Sequence, residues 1–157
     1  MNKHQQRITN TINWLNGIPY ENSFWEYTFR YKNRLKSLLS WSNLNSTLCL
    51  PAWDAMSFLS SLSQPKPIIL DVGCGMSYAT GNLDPQLRPL NIHYVDALAN
   101  YFNSIKNKYQ PSLPNIEFGM MEYIGAFYPN HNISLIIIQN ALDHCSNPMK
   151  AILEALD

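Results

Sequence analysis

The sequence predicts an α/β protein, a parallel sheet with crossover helices preceded by an N-terminal helical segment. Two observations carry that prediction. Up to about Leu62 apolar residues recur at three- and four-residue steps, the spacing of amphipathic helices. From Pro65 onward short apolar runs, many of them β-branched, alternate with amphipathic or irregular stretches, as strands joined by crossovers do. The change of pattern divides the chain into residues 1–64, a helical packing extension or lid, and residues 65–157, a sheet domain.

Taken in order, a first helix is expected over about Gln5 to Leu15, ended by Gly17 and Pro19. In "ENSFWEYTFRYKNRLKSLLSW", Phe24, Trp25, Tyr31, Leu35, Leu38 and Leu39 form one apolar stripe beneath a basic face. The stretch "SNLNSTLCLP" reads as loop, and a further helix is expected over about Ala52 to Leu62. The strands are "PIILDV", "NIHYVD", "NIEFGM" and "ISLIIIQN", with a helical "ALANYFNSIKNKY" between the second and third. The run from Ile133 to Ile138 has almost no polar interruption, which is expected of a strand covered on both faces.

Composition narrows the function. Eleven basic side chains balance eleven acidic ones, and charged residues make up only 14% of the chain, so there is no basic field to hold nucleic acid or acidic lipid. Residues 1–40 carry six Lys and Arg against two Glu, an excess that reads as solvated helix faces. Cys49, Cys74 and Cys145 are odd in number and lack metal or redox spacing, which implies reduced thiols in the cytoplasm. The N-terminus has no apolar signal region and no stretch is long enough to span a bilayer. A small-molecule binder or enzyme, with no membrane or nucleic-acid partner, fits these facts.

Ligands of open α/β sheets bind outside the carboxyl ends of the strands. Those ends hold Asp71, Gly73 and Gly75, then Asp96, then "GMMEYI", then "NALDH". A dinucleotide turn wants a third glycine three positions after Gly75, where Tyr78 stands and is expected to crowd a pyrophosphate. The carboxylate two residues before the glycine pair suits a ligand with a cationic amino group and no phosphate.

At this point "ILDVGCGMSYATG" resembles the first motif of class I S-adenosylmethionine-dependent methyltransferases, over a stretch from about Pro65 to the end of the chain. The resemblance implies a Rossmann-like sheet of strand order 3-2-1-4, incomplete because the family has three further strands. It implies S-adenosyl-L-methionine as cofactor, with Gly73, Cys74 and Gly75 lining its methionine part and Asp71 ordering the loop. "YVDALANYF" is similar to the family's second-strand end, which makes Asp96 the acceptor for the ribose hydroxyls and Ala97 a neighbour of adenine. "EFGMMEYI" places Met121 and Glu122 beside the adenine, although Met120 and Met121 are equally readable as core fillers. "IIIQNALDHCSNP" puts Asn140 near the methionine portion and turns Asp143 and His144 toward a small-molecule substrate.

The sequence departs from the family pattern at Ser77, in place of a third glycine, and at Met120, in place of an acid. His144 is the candidate base, or else a packing residue at a helix start, and Tyr20, Trp25 or Tyr27 are lid candidates. Ser146 or Asn147 is the expected cap of the helix that begins near Pro148. With the fourth strand at an edge, a homo-oligomer or a partner covering that edge is expected. The alternative to a methyltransferase is a non-catalytic binding or interaction module of the same fold.

Overall fold

In the computed structural model of the chain the described residues are 3–31, 34, 68–78, 91–129 and 132–156. They form four helices and four strands: α1 (Lys3–Arg30), β1 (Ile68–Val72), β2 (Asn91–Asp96), α2 (Ala99–Tyr109), β3 (Glu117–Phe118), α3 (Ile124–Phe127), β4 (Ile133–Ile137) and α4 (Pro148–Leu156). The expected loop over "SNLNSTLCLP", the helix over about Ala52 to Leu62 and the stripe residues from Leu35 onward lie outside the described residues.

The strands form one sheet of order β3-β2-β1-β4, parallel at every pairing, which is the Rossmann-like arrangement expected from the sequence. Period-two alternation sends side chains to two helical layers. Leu70, Val72 and Val95 pack with Met121, Ile124 and Ala151 on the α3 and α4 side. Tyr94 points to the other side, where Phe29, Leu98, Phe102 and Ile105 form the core beneath α1 and α2. Phe102, at 2% exposure, anchors α2 to that layer. Fully burying such a side chain contributes about 1.5 to 3 kcal/mol.

The N-terminal helix departs from expectation. Gly17 and Pro19 do not end it; one helix runs through both, and Ser23 Oγ donates to the Pro19 carbonyl at 2.8 Å. Packing explains the override, because Trp14, Ile18, Trp25 and Phe29 recur on one face and all meet the core. The stripe is thus shifted: Phe24 and Tyr31, expected inside, are about half exposed. Polar ties secure the far end of α1, with Lys108 Nζ and Tyr109 Oη donating to Glu26 at 3.0 and 3.1 Å.

The fourth strand also departs. All five residues of β4 are half-buried rather than covered on both faces, because among the described residues β4 pairs with β1 alone. Its register shifts between Ile68 and Ile69, where β1 passes from Ile133 to Leu135. The apolar run records a sheet position, not full cover.

Candidate functional site

Parallel strands place all four carboxyl ends at one end of the sheet, and the reversal of order between β1 and β4 opens a crevice there. A cavity of about 1000 Å³ fills it, at the upper end of the range typical of ligand sites. Every strand end contributes: Gly73, Cys74, Gly75 and Ser77 after β1; Asp96 and Ala97 after β2; residues 119–122 after β3; residues 139–141 and 143–146 after β4. The open side is closed by α1, through residues that include Trp14, Ile18, Tyr20, Glu21, Phe24 and Trp25.

The β1 turn is held by β2. Gly73 and Gly75 have left-handed φ of 68° and 53°, a region that favours glycine. The Gly73 and Cys74 N–H groups donate to the Val95 carbonyl at 2.8 and 3.3 Å. Gly75 N–H donates to Asp96 Oδ2 at 3.0 Å, and Leu98 N–H donates to Asp96 Oδ1 at 2.8 Å. Asp96 therefore fixes the glycine turn and the short turn that leads into α2, and these two bonds use two of the roughly four acceptor positions of a carboxylate. Burial pushes its carboxyl above the ordinary value, and the two N–H groups pull it back.

Neighbouring protein atoms account for the two bare positions in that turn. A Cβ on Gly73 would lie 2.5 Å from the Ala141 Cβ and 2.9 Å from the Met121 Cε. On Gly75 it would lie 3.0 Å from the Trp25 ring. The glycines let the β4 turn and α1 close onto β1, so the turn joins three elements as well as lining the cavity.

The other expected residues fall into place unevenly. Asn140 stands at the end of β4 with φ of 51°, a conformation that asparagine tolerates better than most residues. Met121 lines the cavity and is buried, with the Cys145 Sγ 3.5 Å from its sulfur. Glu122 also lines it, yet its Oε1 accepts from Ser146 N and Oγ at 2.8 Å each and from Asn147 N at 3.2 Å, so it ties the β3 turn to the start of α4. Asn147 Oδ1 accepts from Lys150 N at 3.3 Å and so caps that helix, as expected. Burial drives the Cys74 thiol well above its ordinary value and the Cys145 thiol up to about 12, which keeps both protonated.

Asp71 is buried within β1 and does not line the cavity; strand alternation turns it with Tyr94 toward the α1 and α2 layer. Tyr78 does not crowd the ligand space either. Its ring is buried against Tyr94, and its hydroxyl donates to the Pro114 carbonyl at 3.0 Å. Of the lid candidates, Tyr20 and Trp25 line the cavity, whereas Tyr27 faces a separate small depression with Ser23, Glu26 and Arg30.

His144 lies at the mouth, about half exposed, with Nδ1 3.3 Å from Glu21 Oε1 and Nε2 3.7 Å from Asp143 Oδ2. Glu21 is a site residue that the reading of motifs missed. A signal was present: Glu21 sits on the same helical face as Trp14, Ile18 and Trp25, a carboxylate inside an apolar stripe. Asn10 Nδ2 donates to the Ser146 carbonyl at 3.2 Å, a second tie between α1 and the β4 turn.

Among the described residues no helix is long and apolar enough to cross a membrane. No protein-family model, curated protein or solved structure matches the chain.

Proposed function

We propose that this cavity binds S-adenosylmethionine and that the chain is a methyltransferase acting on a small molecule. The observation that carries the reading is Asp96, a carboxylate at the end of β2 that lines the cavity, holds the β1 turn and keeps acceptor capacity for a pair of ribose hydroxyls. Ala97, Met120 and Met121 border the same space and offer an apolar seat for a purine. Gly73, Cys74, Gly75 and Asn140 line the portion assigned to the methionine. The acidic lining suits a donor whose sulfonium and ammonium outweigh its carboxylate. When bound, the cofactor supplies an electrophilic methyl group. The chain's own part is to orient the acceptor and take its proton, the latter a role for His144 beside Glu21.

The second reading, a binding module without catalysis, is favoured by the packing that already explains Gly73 and Gly75. Calorimetric titration with S-adenosylmethionine tests the cofactor assignment, and methyl transfer to a panel of amine, hydroxyl and carbon acceptors then separates enzyme from module. Free thiols at Cys74 and Cys145 support a cytoplasmic setting. The β4 edge supports self-association, since Met149, Leu153 and Leu156 of α4 add exposed apolar surface close by in the chain. Sedimentation of a monomer at micromolar concentration would remove that part of the proposal.

A further inference from the structure

We infer that the α1 side of the cavity takes a ligand bearing an ammonium group and no acidic group, with its apolar body against Trp14, Phe24 and Trp25. Within the methyl-transfer reading this ligand is the acceptor, an amine, and for that role alone the inference rests on that reading. Charge sets the sign. Glu21, Asp96, Glu122 and Asp143 all line the cavity, and among the described residues no lysine or arginine does. At the mouth Glu21 and Asp143 stand 3.3 and 3.7 Å from the two nitrogens of His144. Two carboxylates facing one imidazole leave the mouth negative whether or not the imidazole is protonated. Asp96 stands just before α2, with its Oδ1 2.8 Å from the Leu98 N–H, and adds a carboxylate beside the start of that helix.

The helix supplies the rest of the recognition. Phe24 and Trp25 meet edge to face with centroids 5.0 Å apart and form part of an aromatic wall beside Glu21, and aromatic faces attract cations. A phosphate or carboxylate entering there meets like charge on its way in, which discriminates against it more sharply than shape does.

The test uses the full chain and three probes with the same aromatic body: phenethylamine, phenylacetate and phenyl phosphate, titrated by calorimetry without and with S-adenosylhomocysteine. Phenethylamine is expected to bind about tenfold or more tighter than either anion, the effect of one charge-assisted hydrogen bond. Glu21→Gln and, separately, Asp143→Asn should each reduce that preference while leaving the unfolding midpoint in place. An anion binding as well as the amine, no amine binding at millimolar concentration, or an unchanged preference in both variants would overturn the inference. Failure of S-adenosylhomocysteine to bind, with the amine preference intact, would remove the cofactor reading and leave this one standing.

Discussion

On the sheet side the cavity includes three residues whose backbone is held in an uncommon conformation, whereas on the α1 side a regular helix presents side chains. Gly73, Gly75 and Asn140 are left-handed there, and Asp96 holds the turn through two N–H groups. On α1 the backbone is ordinary helix, and recognition falls to Trp14, Glu21, Phe24 and Trp25. The difference teaches that one wall is fixed by local geometry that few residues satisfy, and the other by the phase of a helix that many sequences satisfy. Changes to the first wall should therefore register as stability, and changes to the second as selectivity and rate.

The sharpest break in that comparison is expected at His144, which joins the walls. His144→Gln should lower turnover on the preferred acceptor by roughly 10² to 10⁴ while cofactor affinity stays unchanged. A variant with near-normal turnover would return His144 to a packing role. Next in size is Gly73→Ala. It combines φ of 68° with a Cβ 2.5 Å from the Ala141 Cβ, and strain plus overpacking should cost about 2 to 5 kcal/mol in urea unfolding. A loss below about 0.5 kcal/mol, within the ordinary scatter of surface substitutions, would show that the turn relaxes freely.

Gly75→Ala is expected to cost less, about 1 to 3 kcal/mol, because its single close neighbour is the Trp25 ring at 3.0 Å. Combining it with Trp25→Leu should recover part of that loss, a coupling that a double-mutant cycle reads directly. Strict additivity would mean that α1 does not press on the turn.

The smallest effect concerns pH. Burial raises the Asp96 carboxyl above its ordinary 3.8, so the folded chain holds this proton where the unfolded chain has released it. Stability from this group is therefore complete below 3.8 and is lost as pH rises through the higher folded value. Asp96→Asn should flatten that dependence, seen as a variant-minus-wild-type difference that grows more favourable to the variant from mildly acidic to neutral pH. A difference independent of pH would show that the carboxyl is not raised.

Legibility in the sequence followed the same division. The strands and the residues at their ends were readable because "PIILDV", "NIHYVD" and "ISLIIIQN" are apolar runs that stop at glycine or polar residues, and their order came from the family resemblance. Among the expected cavity residues, Gly73, Gly75, Asp96 and Asn140 stand where few other side chains serve. For Asp71, expected to order the loop, the sequence does not say which face of β1 carries the carboxylate; the pairing with Tyr94 shows that it is buried toward α1 and α2 rather than lining the cavity. Tyr78 was misread for a related reason, since its φ of 50° turns the ring into the core instead of toward the ligand. The α1 wall was obscured by Gly17 and Pro19, whose local preference to end a helix is outweighed by long-range packing onto α2. Glu21 was lost with it, because its partner His144 lies far away in the chain.

The measurement that bears most directly on the cavity's assignment is calorimetric titration of the full chain with S-adenosylmethionine, beside Asp96→Ala and Asp96→Asn at a temperature where circular dichroism shows each variant to be folded. Saturable binding is expected in the parent chain, weakened by about 1.5 to 3 kcal/mol in Asp96→Ala, the scale of hydrogen bonds to a charged group, and by less in Asp96→Asn. No binding in the parent chain, or equal affinity in folded Asp96→Ala, would contradict the assignment of this cavity to S-adenosylmethionine.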